Sequence, residues 1–499
     1  MNKQLFGIIG LLLAGVGIFL LRLHPYPANT VISTAGSCGM RVDVLGSRSS
    51  QASGYVVLFH GLSANKRVMF YIAQAFSNQN LRVFVPDLPG HGTTPGSFSY
   101  DRAESCSESL VQDLIDRHAI LPEDTLLVGH SLGGAIALRL AQHLPVAGVI
   151  AISPAPMRPS PEVPTEDLPY HDFGSLPSRT LVMSGGWEPA PLKAAAQNLL
   201  SGQPNASSRY IVIPRATHVS LLFDTRVARV IQSWSAHVLG VEPNPAASPL
   251  VPLAAFLFGF AGLAILVVPF LKETVGTSDQ SLAPEATSPP RPLAVCIQVA
   301  VVSIIVVSGL HFCVPLRRLR IFEGDYLASF FAMGGVALLV WNYRRLTALH
   351  FRWRPILGAA FAAVALIMLF GAWLDVSFFE AWLTAARWLR LPFLALFLFP
   401  WVLAEEILLG PVKPFSRWRR FLLSLGLRAI VWAAFVAALF ALHSGEVLLL
   451  LLGAYFAVFF ILERLAASLM RRETHSAAAA AVFGAILFAG LALAIFPIA

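Results

Sequence analysis

Gly129-His130-Ser131-Leu132-Gly133-Gly134 sets a serine between glycines, directly after the apolar run Thr125-Leu126-Leu127-Val128 and before a stretch with a helical pattern. A serine hydroxyl is a weak nucleophile and needs a sharp turn that holds it beside a base. The glycines permit such a turn, because side chains in their place would strike the strand and the helix. The backbone N–H of Leu132, at the helix start, can then stabilise an oxyanion. The chemistry on offer is nucleophilic attack on an acyl carbonyl. G-x-S-x-G alone arises often by chance, so its neighbours matter.

Two further motifs follow apolar runs. Phe59-His60-Gly61-Leu62 ends the run that starts at Tyr55, and Pro86-Asp87-Leu88-Pro89-Gly90-His91-Gly92 ends the next. With the serine motif, these resemble the α/β-hydrolase superfamily, particularly its branch of lysophospholipases, esterases and serine aminopeptidases, over about residues 40–240. The resemblance implies that the turn after Phe59 supplies a second oxyanion N–H, from Leu62. It places the catalytic histidine after the last strand, where Pro214-Arg215-Ala216-Thr217-His218 offers His218. It places the acid after the strand before, where Ser184-Gly185-Gly186-Trp187-Glu188-Pro189 offers Glu188. Glutamate in place of aspartate is a departure, yet the carboxylate only has to orient the imidazole and stabilise its charge. Asp172 and Asp224 are the substitutes. Asp87, His91, His60 and His130 read as loop, turn or packing residues, and His237 as a surface residue.

The elements that must position these residues are legible as alternating short runs. Strand-like runs lie at 55–59, 83–85, 125–128, 149–152, 180–183 and 210–213; helix-like stretches lie at about 65–79, 104–119, 132–143, 190–200 and 219–238. Such alternation predicts an α/β hydrolase domain, a mostly parallel sheet with helices on both faces. Residues 153–178, rich in proline and acid, fall where a short lid would sit, and 241–249 read as a linker.

Composition extends the picture beyond that domain. The chain is 56% hydrophobic and 13% charged, with mean hydropathy +0.67, against roughly 25% charged residues in soluble domains. Residues 24–249 carry 15 basic and 16 acidic side chains, whereas 250–499 carry 19 and 12. The basic excess thus belongs to the apolar half, which points to loops flanking membrane spans and away from nucleic-acid binding. Residues 1–23 read as an uncleaved signal anchor. Residues 250–499 predict a multi-span, all-α membrane domain of about eight helices, near 250–271, 293–315, 326–342, 355–374, 391–409, 421–442, 446–466 and 476–497. Residues 377–390 are expected to lie along the interface as an amphipathic helix. Alternate loops on the side of the N-terminus hold 14 Lys and Arg against 6 on the other. That imbalance makes the first side cytoplasmic and puts the hydrolase on the non-cytoplasmic side of a plasma or inner membrane.

Four cysteines are too few for a disulfide framework, and no C-x-x-C pair suggests a metal. Neither cofactor nor metal is expected. Within the apolar half, Ala404-Glu405-Glu406-Ile407-Leu408-Leu409-Gly410 and the later His443 faintly resemble the CAAX-type intramembrane proteases. Gly410 stands where that pattern has arginine, and Ala479 stands where it has asparagine after His475.

The expectation is therefore a membrane-anchored serine hydrolase that cleaves carboxylic esters or lipid acyl groups through Ser131, His218 and Glu188. Its partners would be the lipid bilayer and an acyl-containing substrate. A peptidase or acyltransferase with the same triad is one alternative. A membrane transport or assembly protein with an accessory hydrolase domain is the other. The stretch from about 24 to 245 is expected to fold and act by itself.

Overall fold

Tyr55-Val56-Val57-Leu58-Phe59 offers no polar face, and all five residues are buried. A strand apolar on both faces belongs in the middle of a parallel sheet covered by helices. The computed structural model places it there. It describes residues 3–23, 29–32, 38–46, 52–155, 176–200, 208–244, 248–275, 291–316, 318–347, 349, 351–377, 379–410, 417–442 and 447–499. Asp172, His443 and most of the expected lid lie outside the described residues.

Eight strands form one sheet: β1 (Asn29–Ile32), β2 (Arg41–Leu45), β3 (Tyr55–Phe59), β4 (Arg82–Pro86), β5 (Thr125–His130), β6 (Gly148–Ile152), β7 (Thr180–Gly185) and β8 (Arg209–Ile213). Their order is β1-β2-β4-β3-β5-β6-β7-β8. The pairs β1–β2 and β2–β4 are antiparallel, and every later pair is parallel. The six parallel strands coincide with the six apolar runs in the sequence. The two antiparallel strands, β1 at the edge and β2 beside it, were not foreseen, because they are only four and five residues long and β2 shows no regular alternation of burial. Five α-helices accompany the sheet: α2 (Phe70–Ser77), α3 (Tyr100–Asp116), α4 (Leu132–His143), α5 (Ala190–Asn198) and α6 (Thr225–Leu239). The fold is that of an α/β hydrolase.

The chain divides into two compact units. The sheet unit comprises Phe19–Phe256, together with Leu374–Glu380 and Pro497–Ala499. Phe379 packs against its hydrophobic core. Near the C-terminus, Phe98 N–H donates to the Ile498 carbonyl (2.5 Å) and Ile498 N–H donates to the Gly90 carbonyl (3.1 Å). Thus ten residues that lie more than a hundred positions beyond the end of the N-terminal stretch are built into the sheet unit. Chain distance hides this from any reading by local pattern.

Helices dominate the other unit, Met1–Ile18, Leu257–Trp373 and Ala381–Phe496. Among the described residues, nine helices are long and apolar enough to cross a membrane. They are α1 (Lys3–Leu23), α7 (Leu250–Val275), α8 (Pro292–Phe312), α9 (Gly324–Trp341), α11 (Trp353–Ser377), α12 (Ala385–Leu409), α13 (Arg417–Ala441), α15 (Gly453–Thr474) and α16 (Ala477–Ile495); α10 (Tyr343–Leu346) and α14 (Val447–Leu451) are short. Residues 379–384 are not helical, so the expected interfacial helix over 377–390 does not form as such. Glycines bring α1 against α7: a Cβ on Gly262 would stand 2.5 Å from Ala14 N, and one on Gly10 would stand 2.7 Å from Leu266 Cγ. Close backbone approach at small residues is how apolar helices associate without a hydrophobic driving force.

Cys38, which precedes β2, is bonded to Cys106 on α3, with Cα atoms 5.9 Å apart and a sequence separation of 68. The cysteine count argued against a disulfide framework, and a single staple escapes that argument. Closing a loop of this length constrains the unfolded chain by about 2–4 kcal/mol. We expect the Cys38→Ser/Cys106→Ser double variant to lower the thermal midpoint of the hydrolase unit by several degrees. Added reductant should produce the same shift in the wild type, and identical melts would show the bond to be absent.

Candidate active site

Gly129 lies next to the end of β5 and Gly133 in the first turn of α4, and both are required to be glycine. A Cβ on Gly129 would stand 2.0 Å from the Gly133 carbonyl oxygen; one on Gly133 would stand 2.3 Å from that of Phe59. Between them Ser131 adopts φ 52° and ψ −119°. A non-glycine residue in this region is strained and persists only where its surroundings fix it. Here Ser131 N–H donates to the Ile152 carbonyl (3.0 Å), and the Ser131 carbonyl accepts from Ala135 N–H (3.1 Å) and Ala155 N–H (2.9 Å). Strand, helix and the turn after β6 therefore all hold the residue.

The other proposed members converge at the ends of neighbouring strands. His218 Nδ1 lies 2.8 Å from Glu188 Oε1. Glu188 is buried, and its Oε2 accepts from Gly185 N–H at 2.8 Å. Burial alone would push this carboxyl up. The His218 hydrogen bond and charge, then Ser153 and the Gly185 N–H, outweigh it and hold Glu188 below the usual carboxylate range. Glu188 is thus an anion facing an imidazole N–H at neutral pH. Of the two substitutes, Asp224 caps α6 and pairs with Arg226 at 2.6 Å, and Asp172 lies outside the described residues.

Ser153 was missed in the sequence. It sits after β6 at φ 47°. Its hydroxyl donates to Glu188 Oε1 and lies 2.8 Å from His218 Nδ1. Only its position after an apolar run, opposite the acid's strand, could have pointed to it.

His130 ties the nucleophile's turn to the histidine. Its Nε2 donates to the His218 carbonyl (2.9 Å), and the two rings lie 4.8 Å apart. Burial, with the nearby His218, drives its pKa down to about 3, so it stays neutral and serves packing. On the other side, a Cβ on Gly61 would stand 3.0 Å from Ser131 Cβ, so the turn Gly61-Leu62 lies against the nucleophile. His60 accepts from Leu88 N–H at Nε2 (2.9 Å), which leaves Nδ1 to donate to the Gly61 carbonyl (2.8 Å). Leu132 is the first residue of α4. The Gly61-Leu62 turn and the start of α4 at Leu132 thus approach Ser131 from two different elements.

The acidic residues singled out in the apolar half are paired. Arg428 reaches Glu405 at 3.0 Å, and Glu406 is reached by Arg420 at 3.1 Å and Arg464 at 2.5 Å. Among the described residues, no cluster of three or more metal-ligating side chains occurs.

Comparison with known proteins finds the following similarities. Residues 56–287 match the family model described as the alpha/beta hydrolase family. The pimeloyl-[acyl-carrier protein] methyl ester esterase of Nitrosospira multiformis is 29% identical over 162 residues, which cover 32% of this chain and 53% of that protein. The Edwardsiella ictaluri protein of the same name is 35% identical over 20% of this chain and 36% of its own length. The magnesium-chelatase 30 kDa subunit of Rhodobacter capsulatus is 37% identical over 20% and 34%. The chain therefore spans about half the length of these relatives or less. Among solved structures, a lidless α/β serine hydrolase from Xanthomonas campestris is 19% identical, covers 43% of this chain and 95% of its own, and gives a TM-score of 0.33. By its sheet and the matched family model, the N-terminal part of this chain carries the α/β-hydrolase fold.

Proposed function

We propose that this protein is a membrane-anchored serine esterase that cleaves carboxylic esters or lipid acyl groups by way of an acyl-enzyme. The observation that carries the reading is the strained Ser131 turn near a hydrogen-bonded pair of buried Glu188 and partly buried His218. Ser131 Oγ attacks the acyl carbon as its proton passes to His218, while Glu188 holds the imidazole and stabilises its positive charge. The N–H groups of Leu62 and Leu132 receive the oxyanion. His218 then gives its proton to the departing alkoxide. A water, deprotonated by His218, cleaves the acyl-enzyme to carboxylic acid and free serine. The esterase names of the relatives support an ester substrate with a small alcohol group.

The apolar half holds this enzyme at the bilayer. With Glu405 and Glu406 each facing a guanidinium, ion pairing within a helical bundle suits them better than proteolysis does. The Cys38–Cys106 bond supports an oxidising, non-cytoplasmic location. Span parity agrees: four candidate spans separate the hydrolase from Leu374–Glu380, and four more precede Pro497–Ala499. Even numbers return both segments to the hydrolase's side.

A fluorophosphonate should label the wild type, and Ser131→Ala should abolish labelling; a labelled mutant would overturn the assignment. Turnover by Glu188→Gln should fall by a factor on the order of 10^3 to 10^4 with the fold intact, since the neutral amide can no longer stabilise the imidazolium. Near-normal turnover would exclude Glu188 as the acid. A panel of esters and amides of increasing acyl length separates esterase from peptidase. Alkaline phosphatase, active only outside the cytoplasm, should be active when fused after residue 245; a reporter active in the cytoplasm at that point would reverse the orientation.

A further inference from the structure

Four residues beyond Leu62, Lys66 is buried with an ammonium group that serves two carboxylates. Its Nζ donates to Asp87 Oδ2 at 2.6 Å, to Thr93 Oγ1 at 3.1 Å and to Glu380 Oε1. Its backbone N–H donates to Asp87 Oδ1 at 2.8 Å. The neighbouring Asn65 accepts from Arg67 N–H and Val68 N–H, and its Nδ2 donates to the Glu380 carbonyl at 3.3 Å. Glu380 follows α11 in the sequence, 314 residues away, yet it belongs to the same compact unit. It therefore grips the turn at two successive residues, once through its side chain and once through its backbone. The turn has two other supports, His60 with Leu88 and Ser63 N–H with His91 Nε2 (3.3 Å), and both run to the loop that Asp87 organises.

Buried ion clusters add little net stability over apolar packing. Their value lies in geometry, and this one abuts the turn that faces Ser131. We propose that Glu380 is a positioning residue for the oxyanion turn: by holding Lys66 and Asn65 it fixes the backbone from Gly61 to Lys66, and with it the N–H of Leu62. The proposal rests on the esterase reading and deepens it, since it gives the chain between two membrane helices a part in the reaction.

The charges make the brace sensitive to pH. Facing Glu380 are Lys66 and Asp87, with Arg67 Nε at 4.0 Å; Asp43 lies behind Arg67 at 3.5 Å, and His60 lies beyond Asp87 at 4.0 Å. Burial and then the Asp87 charge push the Glu380 carboxyl up to about 8, against Lys66. For Asp87, burial is outweighed by Lys66 and His60, which hold it at about 2. Near neutral pH Glu380 therefore keeps its proton beside an ionised Asp87. A carboxyl raised in the folded state stabilises on the acid side, and that contribution is lost as pH rises through about 8. Above that pH two anions share one ammonium.

The test uses the full-length protein in detergent micelles, with p-nitrophenyl butyrate as substrate and active sites counted by fluorophosphonate labelling. Glu380→Ala should lower kcat per labelled serine by about tenfold while KM stays within about twofold, because an oxyanion donor acts chiefly in the transition state. The wild type should lose kcat above pH 8; Glu380→Gln, which can still bridge, should recover most of the loss seen in Glu380→Ala and should remove that decline. Hydrogen exchange over residues 60–66 should quicken in Glu380→Ala while residues 125–140 stay unchanged. Wild-type kcat per labelled serine together with unchanged exchange would overturn the proposal. A wild type that neither labels nor hydrolyses would sink the esterase reading, and the exchange comparison would still decide whether Glu380 braces the turn.

Discussion

Everything in the hydrolase unit converges on the backbone of Ser131, held at φ 52° and ψ −119°. A residue does not rest there by its own preference, since strain of this kind costs on the order of 1–3 kcal/mol. The surrounding structure must supply that energy. β5 delivers the chain, α4 carries it away, and the carbonyl of Ile152 on β6 fixes the N–H. Glycines at 129 and 133 let these backbones approach more closely than any side chain would allow. The sheet's order follows from the same demand, because β3, β5 and β6 must be adjacent for the serine, the turn after β3 and the turn after β6 to meet.

The residues around the serine form a chain of dependencies. Glu188 orients His218 and is itself held by the Gly185 N–H and the Ser153 hydroxyl. His130, kept neutral by burial, connects the nucleophile's turn to the backbone of His218. On the opposite side, the turn that contains Leu62 hangs from Asp87 and Lys66, and beyond them from Glu380. A preorganised site needs such support, because a donor displaced by an ångström stabilises little.

In the helical unit the organising features are two central helices and their ion pairs. The most apolar stretches of α12 and α16 are each 67% buried, against 11% for α1. α12 brings Glu405 and Glu406 into the bundle, where α13 and α15 meet them with Arg420, Arg428 and Arg464. Charges taken out of water are costly unless matched, and once matched they specify which helices must be neighbours. The faint protease-like pair of glutamates is therefore accounted for by the arginines opposite it.

The amino-acid order by itself determined the parts that depend on local pattern. Six parallel strands were visible as apolar runs; for the inner ones the reason is that a strand buried on both faces has little room for polar residues, while β8 at the edge is only partly buried. The nucleophile's turn was visible because glycine spacing is a steric requirement read within five residues. The histidine and the acid followed from a family resemblance that assigns each to the end of a particular strand, and the structure brings His218 and Glu188 within hydrogen-bonding distance. Tertiary structure alone decided what depends on distant chain. The antiparallel strands β1 and β2 are too short, at four and five residues, for a pattern to be legible. Ser153 is an ordinary serine until β6 and β7 pair and set it between Glu188 and His218. The bond from Cys38 to Cys106 spans 68 residues, and that from Lys66 to Glu380 spans 314. Nothing local marks such partners, because their meeting depends on the closure of the whole fold and on no preference of their own.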